Sequence, residues 1–575
     1  MSELLHKDAT QADGAGVRSP IPYKWLLLIF LVATCLRLGF MLRYTPVISG
    51  DGCEYIRMGM QIRDGKPLTG NFDWPETMYG TLYPILIAGV SKLGLAAEAS
   101  AYLLSLVSGV VLIWVAFLLA RYVYGERTAV CAALLFASFP LFIGLSGSVF
   151  NESIYLTLWL SGIYWGIRAI DSFLLRDFVL TGLFFALSTL SRPEAFAYPL
   201  FFAVTAVLVG VLRTIQWSRV LSGSMALLSV WFLLMIPYVL FEHRHTGHYR
   251  FEGKWNVNYT LGERMDSGMT YFQAGFGLDN NLHLVGPLLD SSLYAAYTPY
   301  PHTLHDELNY FAHRIHRNWP DTFAIVTSVD LGGLALYLLV VLGLFGSTWT
   351  VQRLRHEYIL AVMALSIIVV MVTSANLEDR YLYPLPVILL LWAAAGIDKL
   401  ADWARRTVAS WSESLWPASE LAGPVCAALV CAVLLVFSAV GTRTEPGFHM
   451  QREGFLGVKQ AGLWLGRNTP KSAPVAAFEG RVAYYANRTL IILPYADSST
   501  ALGYLVSKHV RYVVLDSLHA ATMPTIGQWY LHGIPDPRAR LVYQTTQGSE
   551  DCIRIYSLGA PQTTGQLAGS SGVKE

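Results

Sequence analysis

Apolar residues in this chain fall into long unbroken runs. Eleven runs reach, or nearly reach, the length needed to cross a bilayer: 25–42, 101–120, 128–146, 153–170, 178–191, 195–212, 220–241, 331–349, 359–373, 381–397 and 423–440. A straight spanning helix needs about 20 apolar residues, so the shortest run, 178–191, predicts a broken or partly inserted helix. A further apolar run, 79–95, carries Pro84 and Lys92. The basic residues decide how it lies. If it stays out of the bilayer, Arg121 with Arg127, Arg168 with Arg176, Arg213 with Arg219, Arg353 with Arg355, and Lys399 with Arg405 and Arg406 all fall in short loops on one side. That is what the positive-inside rule requires. If it crosses, every later loop changes side. The run therefore predicts a juxtamembrane or re-entrant helix. The expected topology is eleven spans, with the N-terminus in the cytoplasm and the C-terminus outside.

The polar stretches complete the plan. Residues 1–22 read as a disordered tail, 23–441 as the membrane domain, 442–558 as an external α/β domain and 559–575 as a second disordered tail. The expected external loops are 44–99 and 242–327. The second is too long for a plain connector, and Leu304, Leu308, Phe311 and Ile315 in it recur at helical spacing. Short β-type runs at 473–478, 490–493, 512–515, 541–543 and 552–556 alternate with helical patterns at 455–465 and 498–508. The fold class expected is a polytopic α-helical membrane protein with a small C-terminal α/β domain.

Composition agrees. Of 575 residues, 54% are hydrophobic and only 14% charged, against about a quarter charged in soluble domains. The net charge of +1 gives no basic field for nucleic acid. No phosphate-binding Gly-Lys-Ser/Thr loop, dinucleotide fingerprint or nucleophile elbow occurs, which argues against ATP-driven transport. Two of the six cysteines, Cys53 and Cys552, fall in expected external segments. A disulfide between them is open, because sequence position does not test the geometry. The histidines 243, 245, 248, 302 and 305 lack matching acid ligands at metal spacing, and no metal or cofactor is expected.

Four short motifs carry candidate chemistry. Asp51 lies between Gly50 and Gly52 just beyond the first run, followed by Tyr55, Ile56, Met58, Met60 and Ile62 in the pattern of a short interfacial helix. A carboxylate there can take a proton from a hydroxyl or amine, or be a solvated loop residue. Glu152 follows Asn151 at the end of two apolar runs. It can orient an acceptor, hold a cation, or only help cap a helix. Arg192-Pro193-Glu194 interrupts the apolar stretch 178–212. Proline breaks the helix there, and Arg192 can grip a phosphate that Glu194 orients, or pair with Glu194 alone. Arg380, next to Tyr381, opens a late span. Its planar guanidinium suits a lipid phosphate, with snorkelling or pairing to Glu378 or Asp379 as the competing reading.

Together these pieces resemble the GT-C class of membrane glycosyltransferases, on the branch of the protein O-mannosyltransferases and the lipid A aminoarabinose transferase. Asp51 with Tyr55 resembles the first acidic motif, with its second acid displaced from Gly52 to Glu54. Residues 79–84, which include Tyr83, resemble the proline-containing juxtamembrane run, and 121–127 the first basic turn. Residues 148–158, with Glu152, resemble the second acidic motif, and Arg380-Tyr381-Leu382-Tyr383-Pro384 the arginine–tyrosine run. The resemblance covers roughly 23–397. It implies a polyprenyl-phosphate-linked sugar donor and a lipid, glycan or protein acceptor, with transfer at the external face of the cell membrane. Asp51 is then the general base with Glu152 beside it, Arg380 and Arg192 hold the donor phosphate, and Glu54, Tyr55, Tyr83, Glu194 and Tyr381 line the substrate site. Two other classes stay open. A transporter would show paired, similarly interrupted halves, which are not seen, and a non-catalytic assembly protein would tolerate changes at Asp51.

Overall fold

The computed structural model describes residues 23–72, 74–251, 253–284, 303–328, 333–374, 378–411, 455–545 and 552–559, with five helical residues between 425 and 432. The expected tail 1–22 and nearly all of the expected span 423–440 lie outside this set. The first part is helical: α1 (Tyr23–Tyr44), α2 (Gly50–Asp64), α3 (Leu82–Ser91), α4 (Ala97–Val123), α5 (Glu126–Ser138), α6 (Pro140–Ser146), α7 (Glu152–Ser172), α8 (Leu175–Ser191), α9 (Tyr198–Leu212) and α10 (Trp217–Thr246). There follow α11 (Lys254–Asp266), α12 (Tyr271–Phe276), α13 (Leu304–Val326), α14 (Gly333–Phe345), α15 (Val351–Thr373) and α16 (Leu385–Trp411).

Among the described residues six helices are long and apolar enough to cross a membrane, and the bent pair α5–α6 makes a seventh. This is fewer than eleven, and the differences have physical reasons. The run 128–146 is not one straight span. It bends by 60° between α5 and α6, because Pro140 cannot continue the hydrogen-bond ladder. The freed carbonyls of Phe136 and Ala137 are met by the buried guanidinium of Arg37 from α1, at 3.2 and 3.0 Å. The run 178–191 is unbroken but begins earlier, at Leu175, and α8 has 17 residues. α7 packs against both α4 and α8 with most of its residues buried. α3 has 10 residues, about 15 Å of helix at 1.5 Å per residue. That cannot cross a ~30 Å core, so the 79–95 run is a short helix, as expected.

The basic loops gather at one end of the bundle. Arg355, His356 and Tyr122 all meet Asp171, Arg213 reaches its carbonyl at 3.1 Å, and Arg127 meets Asp402 at 3.4 Å. α16 runs as one helix through Lys399, Arg405 and Arg406 rather than ending at 397.

All five expected strands occur. β1 (Val475–Ala477), β2 (Leu490–Ile492), β3 (Tyr512–Asp516), β4 (Ala539–Gln544) and β5 (Ile553–Leu558) form one sheet in the order β2-β1-β3-β5-β4. β1, β2 and β3 are parallel, and β5 is antiparallel to both β3 and β4. Helices α17 (Leu456–Asn468), α18 (Gly480–Ala486), α19 (Ser498–Ser507) and α20 (Pro524–His532) accompany it. Their apolar side chains share a core separate from that of the bundle. Cys53 and Cys552 are both free thiols, so the open disulfide is not formed.

Candidate active site

At the other end of the bundle the α2 start, the 66–79 loop, the α8–α9 break, α11 and the turn before α16 converge. Ser49 caps α2: its backbone is extended (φ −60°, ψ 157°), and its Oγ accepts from the Gly52 N–H at 3.1 Å and donates to the Val149 carbonyl at 2.7 Å. Asp51 therefore sits in the first helical turn rather than in a loop, where the helix dipole favours an anion. Gly52 is needed for closeness rather than for a sharp turn, since an added Cβ would lie 2.7 Å from both Ser49 Oγ and the Val149 carbonyl oxygen.

The Asp51 carboxylate accepts from the Tyr79 hydroxyl at 3.1 Å and is ion-paired with Arg380. Arg380 also pairs with Glu378. This group stays partly open: Asp51, Arg380 and Glu378 keep 27%, 26% and 29% of their side-chain surface exposed. Burial alone pushes the Asp51 carboxyl up, but the Arg380 and Lys254 charges and the Arg380 and Tyr79 hydrogen bonds bring it below its ordinary value. Lys254, at the start of α11, is held down by burial and by Arg380. Gly253 lets that helix approach, because a Cβ there would fall 1.9 Å from the Thr77 carbonyl oxygen.

Beside this group lies Arg192, at the break that Pro193 imposes. It meets Glu152 at 2.5 Å and Glu194 at 3.2 Å, and stands 5.7 Å from the centre of the Tyr155 ring. Asn151 ties the break down, its Nδ2 donating to the Ser191 carbonyl at 2.5 Å while Ser191 Oγ donates to its Oδ1 at 2.6 Å. Glu152 thus serves Arg192. One cavity joins the two arginines: Arg192, Glu194, Tyr155, Tyr198, Arg380, Tyr381 and Pro384 line it with the apolar Ile367 and Val370. Val370 is 38% exposed on the flank of the bundle.

Of the residues read from the sequence, Asp51, Glu152, Arg192, Glu194, Arg380 and Tyr381 come together here. Asp51 and Glu152 reach the cavity only through the arginines they pair with, and three others stand apart from it. Glu54 is buried and accepts from the Asn71 N–H at 2.9 Å and Nδ2 at 2.6 Å, holding the 66–79 loop to α2. Its carboxyl is pushed up to about 8 by burial and by Glu76. Tyr83 is fully buried, with its hydroxyl 2.9 Å from both the Ala101 carbonyl and Ser105 Oγ. Tyr55 packs between Tyr79 and Tyr83, each ring at 5.3 Å. The tyrosine that reaches Asp51 is Tyr79, four residues before Tyr83 and ahead of the start of α3. Lys254 was also missed, although it is the sole lysine of the sequence between 242 and 327. Of the histidines, His243 stacks on Tyr249 at 3.8 Å and His245 bonds the Phe241 carbonyl at 2.9 Å.

Comparison with known proteins bears on this arrangement. Residues 80–241 match the family model described as dolichyl-phosphate-mannose-protein mannosyltransferase. No curated protein sequence matches the chain. The fold is similar to that of the Archaeoglobus fulgidus oligosaccharyltransferase in the apo form, with a TM-score of 0.59 at 13% identity over 93% of this chain and 74% of that one. It is also similar to ArnT from Cupriavidus metallidurans. The form bound to undecaprenyl phosphate gives a TM-score of 0.53 at 14% identity over 94% of this chain and 100% of that one. Its apo state gives 0.54 at 14% identity over 94% and 99%. The family match over residues 80–241 and these two likenesses together give the chain the fold class of the multi-pass GT-C membrane glycosyltransferases.

Proposed function

We propose that this protein transfers a hexose or pentose from a polyprenyl-phosphate carrier to a lipid, glycan or protein acceptor at the external face of the cell membrane. The observation that carries this is the shared position of Arg380. It pairs with Asp51 on one side and lines a cavity with Arg192 on the other. The same small cavity, about 20 Å³, reaches Ile367 and the membrane-flank residue Val370, so its lining sets two cations suited to a phosphate beside apolar side chains suited to its lipid.

The chemistry follows from that geometry. The donor phosphate takes hydrogen bonds from Arg380 and Arg192, whose planar forks suit a phosphate. Arg380 then spends less of its charge on Asp51, and the carboxylate becomes a better base. Asp51 accepts the proton of the acceptor O–H or N–H while that atom attacks the anomeric carbon. The C–O bond to the phosphate breaks, its electron pair leaves with the polyprenyl phosphate, and attack opposite the leaving group inverts the centre. Arg380, Arg192 and Lys254 stabilise the charge that grows on the phosphate. Glu152 and Glu194 fix Arg192. The basic loops at the far end face the cytoplasm in this reading, and the 442–558 domain lies outside.

The test is a transfer assay in nanodiscs with a panel of polyprenyl-phosphate hexoses and pentoses, measuring release of polyprenyl phosphate in the presence of EDTA. Glycolipid and glycan profiles of a deletion strain run beside it. Release from a panel member and loss of a glycan in the deletion strain are the expected results. An inert panel together with an unchanged glycan profile sinks the reading.

A further inference from the structure

The α/β unit is not simply appended to the bundle. Its short helix α18 lies against the segment that leads into Asp51, and it engages both backbone groups of one residue there. The Ile48 N–H donates to the Tyr485 hydroxyl at 3.0 Å. The Ile48 carbonyl accepts from Arg481 Nε at 3.1 Å. Ile48 precedes the cap Ser49, and Ser49 precedes the first helical turn that carries Asp51. Flanking contacts extend the grip. Lys459 Nζ donates to the Pro46 carbonyl at 2.7 Å. Arg57 on α2 bonds Asn487 and reaches the Ala483 carbonyl at 3.4 Å, and the Leu490 N–H donates to the Asn71 carbonyl at 2.8 Å.

Arg481 is itself held in place. It pairs with Glu479 at 2.9 Å, and its guanidinium carbon stands 3.7 Å from the centre of the Phe455 ring. Its terminal nitrogen NH2 comes within 3.7 Å of where a Cβ on Gly50 would stand. The helix is anchored in the α/β core by Val482, Ala483 and Ala486. A guanidinium and a phenol on a rigid helix thus fix the entry to α2 from outside the membrane bundle.

We propose that Arg481 and Tyr485 are positioning residues for the transfer reaction, acting through the backbone of Ile48 to set the carboxylate of Asp51. The proposal rests on Asp51 being the base. Neither side chain needs to touch substrate. Small displacements of a reacting group are costly, with about 10²-fold loss for roughly 1 Å.

The test is a double-mutant cycle in the full-length protein in nanodiscs. Tyr485→Phe removes one hydroxyl with little change in shape, and Arg481→Ala removes the other contact. Each is expected to lower kcat, Tyr485→Phe by about 3- to 10-fold and Arg481→Ala by about 10- to 100-fold. The donor KM should stay within about 2-fold, and Arg481→Lys should recover part of the loss. In an Asp51→Asn background the same changes should cost less than about 3-fold more, since residues acting as a unit are not additive. Full additivity on Asp51→Asn, or unchanged kcat in both single variants, overturns the proposal. A purely structural role would lower the melting temperature while leaving kcat of the folded protein alone, and that also overturns it. The single variant Asp51→Asn reads the base assignment by itself, so the two failures are told apart.

Discussion

The two ends of the helical bundle both hold networks of buried charge, and they are built differently. At the basic-loop end Asp171 takes Arg355, His356 at 2.7 Å and Tyr122 at 2.9 Å. Glu357 takes Tyr124 at 3.1 Å, Trp392 at 2.7 Å and Arg353 at 3.5 Å. The acid and the imidazole are enclosed, Asp171 and His356 keeping 10% and 3% of their side-chain surface, while Tyr122 stays exposed. The hollow at that end, lined by Gly210, Val211 and residues 214–218, has no charged side chain among its lining. At the other end the Asp51–Arg380 pair is more than a quarter exposed, and Arg380 faces a cavity. Buried ion pairs alone therefore do not mark a site. What separates the ends is that one holds its charges on enclosed partners, while at the other Arg380, paired with Asp51 and Glu378, also lines a small cavity.

Four measurements test this contrast. The largest effect is expected at Asp51. Asp51→Asn keeps the shape but removes the proton acceptor, and turnover should fall by about 10²–10⁴-fold with folding and donor binding retained. Near-normal turnover would remove Asp51 as the base. The opposite end should respond in stability instead. Asp171→Ala strands Arg355 and should cost about 3–5 kcal/mol. Thermal unfolding in detergent checks it, and kcat of the folded fraction should not move. If kcat falls as far as in Asp51→Asn, the two ends are not functionally distinct.

Third, Arg380→Ala should weaken donor affinity by about 2–5 kcal/mol, and Arg380→Lys by less, because lysine keeps charge but loses the planar fork. Donor titration reads this, and an unchanged affinity in Arg380→Ala takes Arg380 out of the donor site. The smallest effect concerns pH. Burial, aided by nearby acids, holds Glu54 up to about 8 and Glu76 up to about 7. For a carboxyl raised on folding, the stability is complete below the unfolded value of about 4.5 and is lost as pH climbs towards 7–8. Hydrogen exchange in residues 65–80 should speed up across that window beyond the intrinsic base-catalysed rise. Glu54→Gln should flatten the change, and an unaltered profile in that variant would exclude Glu54 as its source.

Much of the fold was legible in the sequence because its signals are local. Apolar runs report burial in lipid or core directly, and every expected strand of the α/β unit was found where β-type runs alternate with helices. Basic loops predicted their own gathering, and Arg127, Arg213 and Arg355 do meet acids or carbonyls at one end. What failed had a non-local cause. The 128–146 run hides the bend at Pro140, which is tolerable because Arg37, about a hundred positions away, satisfies the freed carbonyls. Tyr79 and Tyr83 look alike in sequence. Only packing sends one hydroxyl to Asp51 and the other to Ala101.

Local residue patterns were enough to name the residue types of the candidate site: a carboxylate beside the first span, an arginine at a proline break and an arginine before a late span. They were so because charge at a membrane boundary is costly unless paired or used. The tertiary structure alone decided which of them touch. Asp51 and Arg380 are 329 positions apart and form one ion pair, while Glu152 is drawn to Arg192 and Glu54 to Asn71. Pairing between distant segments depends on how helices pack and where close approaches such as that at Gly253 are allowed. No local pattern of residues carries that information.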